Sequence, residues 1–215
     1  LGGLIFAEHS AHLLFGRDRY LAGIPYAAGG SAAAPAENRV ADYLRELGDH
    51  AVPRSSTGIE LDVDQNGTPV IGPGGAEPFG FVLGAVHRLA TLQAAAPDVE
   101  QAKKEFLFLT ASLVGCNIDA LAHPFRVFRR SGVPAPRELY GPLADLLARA
   151  GVAAEVNFHT HQPDPAFFRL CVEKGVKLSL GSDAHNLYEV GEFHPHLDFL
   201  KNDCGFSGDL RDILL

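Results

Sequence analysis

Asp183 and His185 stand two residues apart, just beyond the run Val176-Lys177-Leu178-Ser179-Leu180. Val176, Leu178 and Leu180 alternate with Lys177 and Ser179, the period of a β-strand, and Gly181 and Ser182 are expected to stop it. A carboxylate and an imidazole at the C-terminal end of a strand suit a divalent metal. Taken alone, they also suit a turn-capping Asp and a solvated His. The same setting recurs. His9 follows the apolar run Leu4–Ala7, His87 follows Phe79–Val86, and His123 follows Ile118–Ala122. Glu60 and Asp62 share one face of the strand Ile59–Val63. Facing solvent they are ordinary surface carboxylates; facing a barrel mouth, Glu60 becomes a ligand. Each histidine by itself is equally a turn or core residue. Together, His9, Glu60, His87, His123, Asp183 and His185 bring more ligands to one rim than a single tetrahedral zinc uses. That points to a cluster of two or three ions bridged by Glu60.

Other residues lie close to this set. Arg126, Arg129 and Arg130 follow His123-Pro124, either as a solvated basic cluster or with Arg126 gripping an anionic substrate. Glu155 and Asn157 share a strand face. His159 and His161 form an H-x-H pair in a turn-rich stretch and rank as second choices for a metal. Pro124 is expected to hold His123 in an extended backbone.

The elements that position these residues alternate. Helices are expected over 36–47, 98–115, 137–150, 165–174 and around 197–200. Pro35 marks a start, and Gly48, Gly151 and Gly175 mark stops. Leu4–Ala7 reads as a strand buried on both faces. Asn66-Gly67 marks a hairpin turn, with Val70-Ile71 as its return strand. Residues 20–35, rich in Ala, Gly and Pro, read as a mobile loop, either a lid or a plain insertion. Alternating strands and helices imply an α/β fold with parallel strands, most simply a (β/α) barrel spanning residues 1–215 as one domain. Its chemistry would lie at the strands' C-terminal ends.

Composition narrows the classes further. A hydrophobic fraction of 47% excludes a disordered chain, and a net charge of −8 argues against a long nucleic acid or a membrane surface as partner. Bound cations would still admit an anionic substrate. Cys116, Cys171 and Cys204 form no CxxC motif and are expected as buried, reduced thiols of a cytoplasmic protein. No apolar stretch is long enough for a bilayer, and the opening residues lack the basic region of a signal peptide. The chain has no Met and begins at Leu1 directly before a strand, so an N-terminally truncated fragment is expected.

Six segments, taken in order, resemble the successive motifs of the PHP family, the polymerase and histidinol phosphatase domains. They are Ala7-Glu8-His9-Ser10, Gly58-Ile59-Glu60, Gly84-Ala85-Val86-His87, Leu121-Ala122-His123-Pro124, Glu155-Val156-Asn157 and Gly181-Ser182-Asp183-Ala184-His185. The resemblance runs from residue 4 to about residue 200. It implies a distorted seven-stranded TIM-like barrel that holds two or three divalent ions (zinc, manganese or iron). Glu60, His87 and His123 would form one site, Glu60 and Asp183 part of a second, and His9 and His185 part of a third. Asp183 and His185 would belong to the catalytic machinery. The family opens with an H-x-H motif on its first strand, which nothing before His9 supplies. The first strand is therefore expected to be missing, and the second and third sites to lack ligands. The implied activity is hydrolysis of phosphate esters, most simply a small phosphomonoester of the histidinol phosphate kind, with Arg126 on the phosphate. Alternatives are a nuclease of the same family acting on nucleotide or oligonucleotide ends, and a non-catalytic, metal-binding or inactive remnant.

Overall fold

A computed structural model describes residues 3–32, 38–72 and 74–215. Among these residues, six strands run parallel and pair in chain order: β1 (Leu4–His9), β2 (Ser55–Asp62), β3 (Phe81–Ala85), β4 (Ala120–Leu121), β5 (Ala153–Asn157) and β6 (Leu178–Gly181). The sheet curls into a half-barrel compatible with a TIM-like α/β fold. Its register places His9 opposite Glu60, Glu155 opposite Ser179, and Asn157 opposite Gly181. The C-terminal segment bridges Leu214 to Leu178 and covers the outer side of β6.

Among the described residues, eight α-helices connect and cover the sheet: α1 (Ser10–Leu21), α2 (Val40–Asp49), α3 (Ala90–Gln93), α4 (Val99–Val114), α5 (Arg126–Arg130), α6 (Tyr140–Ala150), α7 (Pro165–Glu173) and α8 (His194–Asp198). The main core joins Ile59, Leu61, Leu121 and Val156 of the strands to Phe106, Leu109, Leu113, Leu143, Leu147 and Phe167 of α4, α6 and α7. Helix boundaries follow local chemistry. Asp98 caps α4 by accepting from the Gln101 N–H (2.9 Å). Asp164 caps α7 through the Ala166 N–H (2.9 Å), with Pro165 at the first position. Gly151, with φ of 67°, ends α6 as expected.

Several elements depart from the sequence expectations. β1 is not buried on both faces: Ile5 and Phe6 are 44% and 37% exposed. Helix α1 follows it directly and breaks at Gly16, whose backbone is non-helical. The hairpin turn after β2 forms, with Gly67 N–H donating to Asp64 O, but the return strand reduces to one bridge, Val63 to Pro69. Tightly wound turns at Ile24–Tyr26 and Gly30–Ala32 order the first part of the segment expected as a mobile loop. The expected helix start at Pro35, Ala36 and Glu37 lies outside the described residues. Gly181 does not stop β6 but is its last residue. Cys116, Cys171 and Cys204 are free thiols, Cys116 only half-buried. Among the described residues, no helix is long and apolar enough to cross a membrane.

Candidate metal centre

β2 divides its side chains between two environments. Ile59 and Leu61 enter the core, whereas Glu60 and Asp62 face the histidines at the mouth of the half-barrel. The choice between solvent and mouth is thereby resolved, and both carboxylates are buried (9% and 0% exposed). Glu60 Oε1 lies 2.8 Å from His123 Nε2 and 3.4 Å from His87 Nε2, and its Oε2 lies 3.3 Å from His9 Nδ1. Four strand ends thus converge on one carboxylate.

Asp62, not singled out as a ligand from the sequence, orients His87. Its Oδ1 accepts from His87 Nδ1 at 2.6 Å, which leaves Nε2 directed at Glu60. Its Oδ2 accepts from the Ala11 N–H (3.2 Å), in the first turn of α1, and its own N–H donates to Ser10 Oγ (3.0 Å). A carboxylate behind a histidine fixes the ring and the tautomer that a metal would use. The signal for Asp62 was its spacing from Glu60, since residues two apart share a strand face. Beyond His87, Glu105 of α4 accepts from the Ala90 and Thr91 N–H groups (2.7 and 3.0 Å), pinning the chain that leaves β3.

His9 tests whether the pocket suits a cation. Its Nδ1 is buried and makes no hydrogen bond, although it lies 3.3 Å from Glu60 Oε2 and 3.8 Å from Asp62 Oδ2. A buried ring nitrogen aimed at two carboxylates without a bond is a position that a divalent ion satisfies. Ligand atoms of His9, Asp62 and His87, and likewise of Glu60, His87 and His123, lie within 4.8 Å of one another. The residues present therefore fit one or two divalent ions.

Burial and charge oppose each other here. Burial alone would raise the Glu60 carboxyl, but the imidazoles of His87 and His9 and hydrogen bonds from His123 and His87 hold it well below the usual range. Burial would lower His87, but Glu60 and Asp62 outweigh it and push it up to about 10. For His123 burial wins, with help from Arg126, and the ring falls to about 3.

The other half of the mouth comes from β4, β5 and β6. His123 does not have the extended backbone expected before Pro124; its φ is +32°, and Phe125 follows at +67°. The turn is held by Glu155 Oε2, which accepts from the His123 N–H at 2.7 Å, and by the His123–Glu60 contact. Such strained backbone persists only where its surroundings fix it. Burial, with Glu60 nearby, pushes Glu155 up to about 8. Asn157 Nδ2 donates to Glu155 Oε2 (3.2 Å) and reaches Asp183 Oδ2 (3.4 Å). Gly181 makes room for this network, because a Cβ there would overlap the Glu155 carboxylate. Arg126 is 4% exposed, donates to Asp183 Oδ2, and reaches His87 Nε2 at 3.4 Å.

His185 stands apart from this buried set. Its ring stacks on His159 at 4.3 Å and 10°, and Glu189 completes the group. His161 directs Nδ1 to His159 O (3.2 Å) and belongs to no such group among the described residues. Tyr20 and Tyr26 lie beside the His9 and His87 side, with ring centroids 5.9 Å from His9 and 6.3 Å from His87 respectively. Tyr26 is buried, and the Arg88 guanidinium lies 5.1 Å above its ring.

Compared with known proteins, the chain matches no protein-family model, and no curated protein matches it significantly.

Proposed function

We propose that this protein is a metal-dependent phosphoesterase with a barrel of PHP type. The observation that carries the reading is the Glu60 carboxylate set among His9, His87 and His123 at the C-terminal ends of parallel strands, with Asp62 behind His87. Glu60, His87 and His123 would hold one ion, and His9 with Asp62 a neighbouring one. Divalent ions bound there would lower the pKa of water and offset the charge of a phosphoryl group.

The chain's own residues do the rest. Asp62 holds the His87 ring in place, and Glu155 and Asn157 hold the turn of His123 and the Asp183 carboxylate. Arg126, once released from Asp183, presents a planar pair of donors to a phosphate. The net charge of −8 favours a small phosphomonoester over a nucleic-acid polymer. Imidazole and carboxylate ligands admit zinc, manganese or iron.

The burial of Arg126 against Asp183 favours a second reading, a non-catalytic metal-binding domain. Hydrolysis of a panel of small phosphomonoesters, measured with added zinc, manganese or iron, separates the two. Turnover that is lost in Glu60→Gln and in His123→Ala supports the phosphoesterase. Metal uptake without turnover on any of the esters supports the binding domain.

A further inference from the structure

His159, His185 and Glu189 combine a ligand chemistry with an exposure that the buried centre lacks. They supply two imidazoles and a carboxylate, with ligand atoms within 4.8 Å of one another. His159 leaves the end of β5, whereas His185 and Glu189 lie beyond β6, so the group ties two strand exits together. Two histidines and one carboxylate with open positions are a recurrent set for zinc and other first-row divalent ions.

The local hydrogen bonds orient the ligands. His185 Nδ1 lies 2.8 Å from Asp183 O and must donate to that carbonyl, which leaves Nε2 with its lone pair. The His185 N–H donates to Glu189 Oε2 at 2.8 Å and keeps this carboxylate beside the ring. The His159 N–H donates to Asn157 Oδ1 at 2.9 Å. The His159 and His185 rings stack nearly parallel at 4.3 Å, so both can turn a nitrogen to one point.

We propose that these three residues form a separate, solvent-facing site for a borderline divalent ion such as zinc, with positions left open for an exogenous ligand. The His185 side chain is 59% exposed, in contrast to 2% for His123 in the buried centre. An ion there fastens the segment 183–189 to the end of β5. Asn157 and Asp183 touch both groups, so the fastening bears directly on the buried mouth. The site does not depend on the phosphoesterase reading, because it is defined by binding alone.

The test is zinc uptake by the full chain, as equilibrium dialysis at fixed free zinc, followed by ring-proton NMR of the histidines. Wild type is expected to hold one more zinc than His159→Ala or Glu189→Gln, with the ring signals of His159 and His185 shifting together. Glu189→Gln keeps an acceptor for the His185 N–H and so serves as the variant least able to disturb folding. Equal zinc content in wild type and both variants, with unmoved His159 and His185 signals, overturns the proposal. Glu60→Gln and His123→Ala report on the buried centre instead. Loss of zinc in those variants alone would support the buried centre and defeat this site.

Discussion

Arg126 and Asp183 form an ion pair that bridges the exits of β4 and β6, with the guanidinium 4% and the carboxylate side chain 17% exposed. Burial would raise the Asp183 carboxyl, and the Arg126 charge overrides this and lowers it. The guanidinium therefore stands where a cation beside Asp183 would stand. Arg126→Met is expected to destabilise the metal-free protein by up to about 3 kcal/mol, since removing one partner strands the other charge. Added zinc should then raise the melting temperature more in the variant than in wild type. Equal gains would show that ion and guanidinium do not share Asp183.

Asp62 fixes His87 from behind by a 2.6 Å hydrogen bond, while α1 anchors Asp62 through Ala11. Asp62→Asn keeps the size but lets the amide present a donor to Nδ1, which favours the wrong ring tautomer. Metal affinity at the buried centre is expected to fall roughly 10–100-fold. A zinc competition titration measures it. Unchanged affinity would make Asp62 a purely structural residue of the α1 junction.

The same pair sets a pH dependence. Burial opposes the shift, but Glu60 and Asp62 raise His87 from 6.5 to about 10 in the metal-free protein. Its stabilising contribution is therefore complete below about 6.5 and is lost as pH rises through about 10. Metal needs the neutral ring, so binding must expel this proton. Metal-free stability should fall with rising pH over that window while zinc affinity rises, and zinc uptake should release protons. Calorimetry in buffers of different ionisation enthalpy counts those protons, and a zero count would place His87 outside the ligand set.

The strand exits are legible in the sequence because His9, His87 and His123 each follow an apolar run, whereas Glu60 lies inside its strand and its face is left open by the pattern. Asp62 was harder to read because its role depends on which strand face looks inward. That choice is made by Ile59 and Leu61 entering the main core, which is assembled from residues far apart in the chain. His185 reads from the sequence as a candidate ligand and His159 as a second choice, but not their pairing, since the stacking of the two rings arises only when β5 and β6 pair in register. The φ of His123 escaped the local preference imposed by Pro124 because Glu155, thirty-two positions away, holds its N–H. Helix α1 lacked a clear apolar stripe and breaks at Gly16, so no periodicity announced it.

Gly181 offers the sharpest test of that β5–β6 register. It lies opposite Asn157, and its missing side chain leaves space for the Glu155 carboxylate, which otherwise supports the His123 turn. Gly181→Ala puts a methyl group into that carboxylate, so either the strand or Glu155 must move. A substitution of this kind in a packed interior costs about 1–3 kcal/mol. If Glu155 moves, the His123 N–H loses its acceptor and the ring loses its position against Glu60. The variant is therefore expected to lose both stability and zinc affinity. The double variant Gly181→Ala with Glu155→Ala should recover most of the stability but not the affinity. Denaturant melts paired with zinc titrations read both. Recovery of affinity in the double variant would show that Glu155 does not position His123.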